Sequence, residues 1–367
     1  MDQTRRKTVS RWPGWRLAPT IPIVILAIAS ILPSSFVDAQ NPANVVLNNI
    51  RTGLVVEGLI VSPDSQFVYV AGFSRTNASH SHLFIINAQF PTITADVLIT
   101  GQAGAIDVAI SPEGQTAYVT NFASDTVSVI STATQTVIGT LGVGPSPLGL
   151  AISPNGKELW VANSGSRPSF NNGTVSVFDT ATLAHSALIN VGGNPSQVVF
   201  EPGGQVAFVL NRHGSGFVSV IDAVTHKVTN GNFGTGIVNN PFALGAAILP
   251  SATSLYVDNE FATINNMLVM TGALQDVITV FPPTVPPAKQ RLAQPVITPD
   301  GQFLYVADPK LNQVSWATTV NDVAQQLSPI SVSPGKEPIT LAVSPDDTRL
   351  YVGNTGNGIV TQIDITH

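Results

Sequence analysis

SPEGQTAYVTNF, residues 111–122, recurs in recognisable form from one end of the chain to the other. Its copies begin at Ser62 (SPDSQFVYVAGF), Ser153 (SPNGKELWVANS), Glu201 (EPGGQVAFVLNR), Leu249 (LPSATSLYVDNE), Thr298 (TPDGQFLYVADP) and Ser344 (SPDDTRLYVGNT), which makes seven. Successive starts are 49, 42, 48, 48, 49 and 46 residues apart, and a fixed period in this range marks a propeller, a solenoid or a similar array.

Each unit has the logic of an antiparallel hairpin. Pro112 presets the backbone for the second turn position, and Gly114 supplies the left-handed conformation that closes a three-residue loop. The flanking segments, residues 107–110 (DVAI) and 116–120 (TAYVT), carry the β-branched and aromatic residues of a half-buried sheet. Residues 126–130 (TVSVI) and 136–141 (TVIGTL) read as a third and a fourth strand. No segment sustains a 3.6-residue apolar period, so almost no helix is expected.

Residues 1–39 read as an export signal. Arg5, Arg6, Lys7, Arg11 and Arg16 form a basic start, residues 21–32 (IPIVILAIASIL) an apolar run, and Val37, Asp38 and Ala39 offer small residues for cleavage before Gln40. The twelve-residue apolar run falls short of the roughly 20 residues that span a bilayer as a helix. A periplasmic, cell-surface or extracellular location is therefore expected, with no membrane span after cleavage. Residues 40–367 would then hold eleven Lys and Arg against twenty Asp and Glu. Such a balance leaves no basic stripe for nucleic acid. The chain has no cysteine, which excludes disulfides, thiol nucleophiles and thiolate metal sites.

The two ends decide between an open and a closed array. The last unit supplies three strands and stops, while residues 44–50 (NVVLNNI) stand before the first unit with the composition of a missing outer strand. Pairing the two would protect edges that an open array exposes. The expected fold is all-β: a seven-bladed β-propeller of four-stranded antiparallel blades, closed by pairing of the N-terminal strand with the last blade.

The repeat, above all residues 117–122 with 125–130 and the trailing Val143-Gly144, resembles the YVTN family of β-propeller repeats. The likeness covers essentially everything after residue 39. It implies the propeller fold and a choice of roles, since proteins resembling this family include surface-layer and cell-surface proteins, subunits of periplasmic redox enzymes and propeller lactonases. Fold does not choose among these.

Comparison of the seven copies separates scaffold from candidate site. The residue closing each second strand is Gly72, Asn121, Asn163, Asn211, Asn259, Asp308 or Asn354, a set that tolerates left-handed backbone or bonds its own turn. It reads as a structural cap. Five residues before each turn position stand Gly58, Asp107, Gly149, Gln197, Gly245, Gln294 and Thr340, preceded in the first unit by Glu57. These positions, with Arg212, His213 and Glu260 from the loops after second strands, are expected at the mouth of the central channel. Glu57, Asp107, Gln197, Arg212, His213, Glu260 and Gln294 are thus the candidate ligand-binding residues, where convergent polar groups would hold a small polar molecule. The alternative is that they are solvated loop residues.

Two functions follow. In one, the protein is an exported non-catalytic binding or structural scaffold, monomeric, that needs no cofactor and presents its loop face to a protein or glycan partner. In the other it is a lactonase-like hydrolase, with Glu57 and Asp107 acting as base or holding a divalent cation at the channel mouth, and Arg212 or His213 polarising the carbonyl.

Overall fold

The computed structural model describes residues 42–166, 172–213, 217–234, 243–259, 263–268, 274–279, 294–319 and 329–367. Residues Ala39–His367 form one compact unit. The described residues contain seven four-stranded antiparallel sheets and no helix. The proline-rich run at residues 281–287 (FPPTVPP) and residues 167–171 lie outside them.

The first strands of the sheets are Leu54–Val61, Ala105–Ile110, Pro147–Ile152, Gly193–Phe200, Ala243–Ile248, Val296–Ile297 and Pro338–Val343, defining blades 1 to 7. Each lies against the first strands of its two neighbours, and that of blade 7 lies against that of blade 1. The molecule is a seven-bladed β-propeller. Blade 7 has its own three strands, and Val45–Arg51 completes it by pairing antiparallel with Ile359–Asp364. Residue Leu47 is skipped in that register. Outer strands of blades 1 to 4 skip Thr94, Ile138, Ser186 and Thr229 at the equivalent place. The N-terminal strand therefore reproduces the bulge of a genuine fourth strand.

The repeated turn has a physical cause at each residue. Ser62, Ser153 and Ser344 donate their hydroxyls to Asp64, Asn155 and Asp346 two residues on, at 2.5, 2.8 and 2.6 Å, and accept the backbone N–H five residues on at 2.9 Å. The left-handed turn residue is Gly114, Gly156, Gly204 or Gly301 in four blades, and Ser65, Ala252 or Asp347 in the other three.

The core lies between blades. Tyr69, Tyr118, Trp160, Phe208, Tyr256, Tyr305 and Tyr351, one from each second strand, are all buried. Trp160 clusters with Val198 and Ala207 of blade 4, for example, and Tyr351 with Leu59 and Val61 of blade 1. Burying such a side chain contributes on the order of 3 kcal/mol, and the repeat places one at every seam.

The recurring Asn has a different structural role from the one its type suggests. Asn121, Asn163 and Asn354 are buried and are absent from the left-handed region. Their amides instead bridge to the third strand, as when Asn163 Nδ2 donates to Thr174 Oγ1 at 3.1 Å and Ser176 Oγ at 2.9 Å. The glycine trailing the preceding blade makes room for this post. A Cβ at Gly144 would stand 2.8 Å from Asn163 Cγ.

Candidate functional site

The first strand of each well-paired blade carries a register irregularity at the position that the sequence singles out: between Val56 and Gly58, Ala105 and Val108, Pro147 and Leu150, Pro195 and Gln197, and Pro338 and Thr340. A bulge frees backbone N–H groups that the ladder would otherwise hold. Thr120 captures one of them, accepting the Asp107 N–H at 3.0 Å while donating to the Leu148 carbonyl of blade 3 at 2.8 Å. Asp258, at the same place in blade 5, accepts the Gly245 N–H.

Around the ring, glycine alternates with a larger polar residue. A Cβ on Gly58 would stand 2.7 Å from Asp107 Cα, one on Gly149 3.0 Å from Gln197 Cα, and one on Gly245 2.6 Å from Gln294 Cα. Each glycine thus lets the backbone of the next blade approach. The larger residues reach onward. Asp107 Oδ2 accepts the Leu150 N–H of blade 3 at 3.3 Å, its Oδ1 taking the adjacent Val108 N–H at 2.9 Å, and Gln197 Oε1 accepts the Ala246 N–H of blade 5 at 2.7 Å.

The predicted site residues therefore fall into groups. Gln197 and Gln294 line one cavity of about 500 Å³ bounded by the first strands of blades 3 to 7. Glu57 and Asp107 stand on blades 1 and 2, outside that lining. Arg212 is half-buried, and His213 ends its strand opposite Gly193. Glu260 lies outside the described residues.

Glu57 sits at the seam of blades 1 and 7. Burial pushes its carboxyl up to about 7, against the opposing effect of a hydrogen bond from the Thr355 side chain of blade 7. Arg75 donates to the Thr355 carbonyl oxygen. Burial also raises Asp107 to about 6, although the Val108 and Leu150 N–H groups pull the other way. A carboxyl poised near neutrality can exchange a proton with a bound molecule at working pH, which makes Glu57 the chemically versatile member of the set. Among the described residues no group of three or more His, Asp or Glu side chains is placed to hold a metal ion.

Thr120, Arg75 and Thr355 escape sequence reasoning. Thr120 lies within the repeated motif and reads as an ordinary strand residue, while Arg75 and Thr355 meet across 280 residues of chain, a separation that carries no local signal.

No protein-family model matches the chain, and no curated protein matches its sequence. Solved structures do match its fold. Hydrazine synthase of Kuenenia stuttgartiensis superimposes with a TM-score of 0.70 at 19% identity, over 91% of this chain and 98% of the matched one.

Proposed function

We propose that the protein is an exported, non-catalytic β-propeller that acts as a binding or structural scaffold at the cell surface or in the periplasm, in the manner of the YVTN-repeat proteins its sequence resembles. The observation that carries this reading is the use made of the ring residues. Asp107 and Gln197 direct their side-chain oxygens to backbone N–H groups of the following blade, so they hold blades together. The loops after the second strands remain as the variable surface, suited to a protein or glycan partner. The likeness to hydrazine synthase is one of fold and brings no substrate with it.

A second reading, lactonase-like hydrolysis, is favoured by Glu57 alone, whose carboxyl near 7 suits a general base. One experiment separates the two. The full chain and Glu57→Gln are assayed side by side against short- and long-chain γ- and δ-lactones, with and without calcium. Rates at the buffer background for both proteins support the scaffold. Turnover that disappears in Glu57→Gln replaces it with the hydrolase. Recovery of exported protein beginning at Gln40 supports the signal.

A further inference from the structure

Blade 7 departs from blades 1, 2 and 3 where the closing strand meets it. In blades 1, 2 and 3 the third strand sets Ile85, Val129 and Val177 opposite Ala95, Gly139 and Ala187 of the fourth. In blade 7 the corresponding pair is Gln362 opposite Asn48. Two amides thus replace an apolar residue and a small one, and Gln362 is only 2% exposed.

The substitution organises a polar floor. Asn48 Nδ2 donates to Gln362 Oε1 at 2.8 Å, and Gln362 Nε2 donates to the Ala88 carbonyl of blade 1 at 3.0 Å and to the Tyr351 hydroxyl oxygen at 3.1 Å. Because the phenol receives the amide proton, its own O–H needs a different acceptor, and none is present among the described residues. Tyr351 is 1% exposed. At three other seams the polar atom of the aromatic column is met by protein: Tyr69 by Thr132, Tyr305 by Asn44 and Trp160 by Glu158. The Tyr351 side chain lines a cavity, so a bound molecule that accepts the hydroxyl proton would complete the bond that the protein leaves open.

Tyr351 and Gln362 border a cavity of about 350 Å³ between blades 7 and 1, whose rim carries Leu47, Gln89, Asp346 and Arg349. Arg349 spends Nη1 on the Thr348 carbonyl at 2.7 Å and on Asp364 at 3.2 Å, and it lines the cavity. Against the effect of burial, hydrogen bonds from Thr366 hold Asp364, and those from Ser344 and Thr348 hold Asp346, below the usual carboxylate range, with the Arg349 charge adding to both. No surplus positive charge is left, so the cavity does not select an anion. Its chemistry is that of mixed donors and acceptors with one apolar wall, at a size where small ligands begin to fit, roughly 300 Å³ and above.

We propose that this cavity binds a neutral sugar unit, either a free monosaccharide or the end of a glycan. Ring hydroxyls accept the Tyr351 O–H and the Arg349 N–H groups and donate to Asp346, and the C–H face rests on Leu47. The site lies on the side of the turns following first and third strands, opposite the loop face, so it stands or falls independently of the proposed scaffold role.

The test is calorimetric titration of the full chain with glucose, galactose, N-acetylglucosamine, cellobiose, lactose and chitobiose. Melting shifts are a poor readout, because sugars stabilise proteins generally by exclusion from the surface. At least one sugar is expected to bind saturably with half-saturation below roughly 10 mM, a free energy of about −3 kcal/mol. Tyr351→Phe should weaken that binding at least tenfold and Gln89→Ala, at an exposed position, about threefold. Tighter binding of a disaccharide identifies a glycan end, and equal binding a free sugar. Absence of saturable heat up to 50 mM, or binding unchanged in Gln89→Ala and Arg349→Ala, overturns the proposal even if Tyr351→Phe fails to fold.

Discussion

Gly58 and Asp107 occupy equivalent positions in adjacent blades, and position 58 has no room for a side chain. The Ile106 carbonyl oxygen would lie 2.7 Å from a Cβ on Gly58, and backbone cannot yield as a side-chain tip can. Gly58→Ala should therefore cost about 1–3 kcal/mol through overpacking, read as a lower urea midpoint. Asp107→Ala removes the acceptor of the Leu150 N–H and should cost a similar amount, about 1–3 kcal/mol. Glu57 adds a pH dependence whose sign follows from its raised value. Its folded form keeps the proton from the usual carboxylate range up to about 7, where the unfolded chain has already released it. Stability from this group is full below about pH 4 and is lost as pH rises towards 7. Glu57→Gln should flatten the fall in melting temperature between pH 4.5 and 7.5. A variant whose profile keeps the same slope as the parent contradicts the burial of this carboxyl.

At the scale of the element, the repeated turn was largely legible and the bulged first strand was not. The proline that all seven copies share, with serine before it or glycine after it in most, announces the turn through local chemistry. The bulge depends on which residues of the second strand oppose the first, and register is a property of two strands together. That is why Asp107 and Gln197 could be identified as unusual from the repeat while their partners, Leu150 and Ala246 in other blades, could not. The Asn post illustrates the same limit. Its position was readable, but its reason lies in hydroxyls across the sheet and in a glycine of the blade before. The turns also yield a stabilisation test. Ser65 and Ala252 hold φ of 59° and 57° where four sister turns place glycine, and a residue with a side chain is disfavoured there by roughly 1–2 kcal/mol. Ser65→Gly and Ala252→Gly should each raise stability by about 1 kcal/mol despite the greater freedom that glycine gives the unfolded chain, and their effects should add because the sites lie in different blades. A drop in melting temperature for both would show that the turn conformation is not as described.

For the whole molecule the decisive element is the strand at Val45–Arg51, because it makes blade 7 depend on both ends of the chain. Ala43 N–H bonds the Thr366 carbonyl at 2.9 Å and Thr52 N–H the Gly358 carbonyl at 2.8 Å, so the ladder is framed at both ends. Between them, Asn49 Oδ1 accepts the Thr361 hydroxyl at 2.9 Å, and Ile50 is buried against blade 1. Deleting residues 41–52 would leave Ile359–Asp364 as an exposed edge, strip Gln362 of the Asn48 amide and uncover Ile363. Exposed edges of this kind invite pairing between molecules, and the lost burial and bonds are large against a net stability of about 5–15 kcal/mol. The deletion should give aggregated or unfolded protein, and a synthetic peptide of residues 41–52 added during refolding should restore part of the soluble, cooperatively melting fraction. Peptide with Val46, Asn48 and Ile50 changed to proline should not, since proline cannot donate to the ladder. A deletion variant that stays soluble with an unchanged melting temperature would show that blade 7 is complete without the N-terminal strand, and the joining of the two ends would then have no part in holding the propeller together.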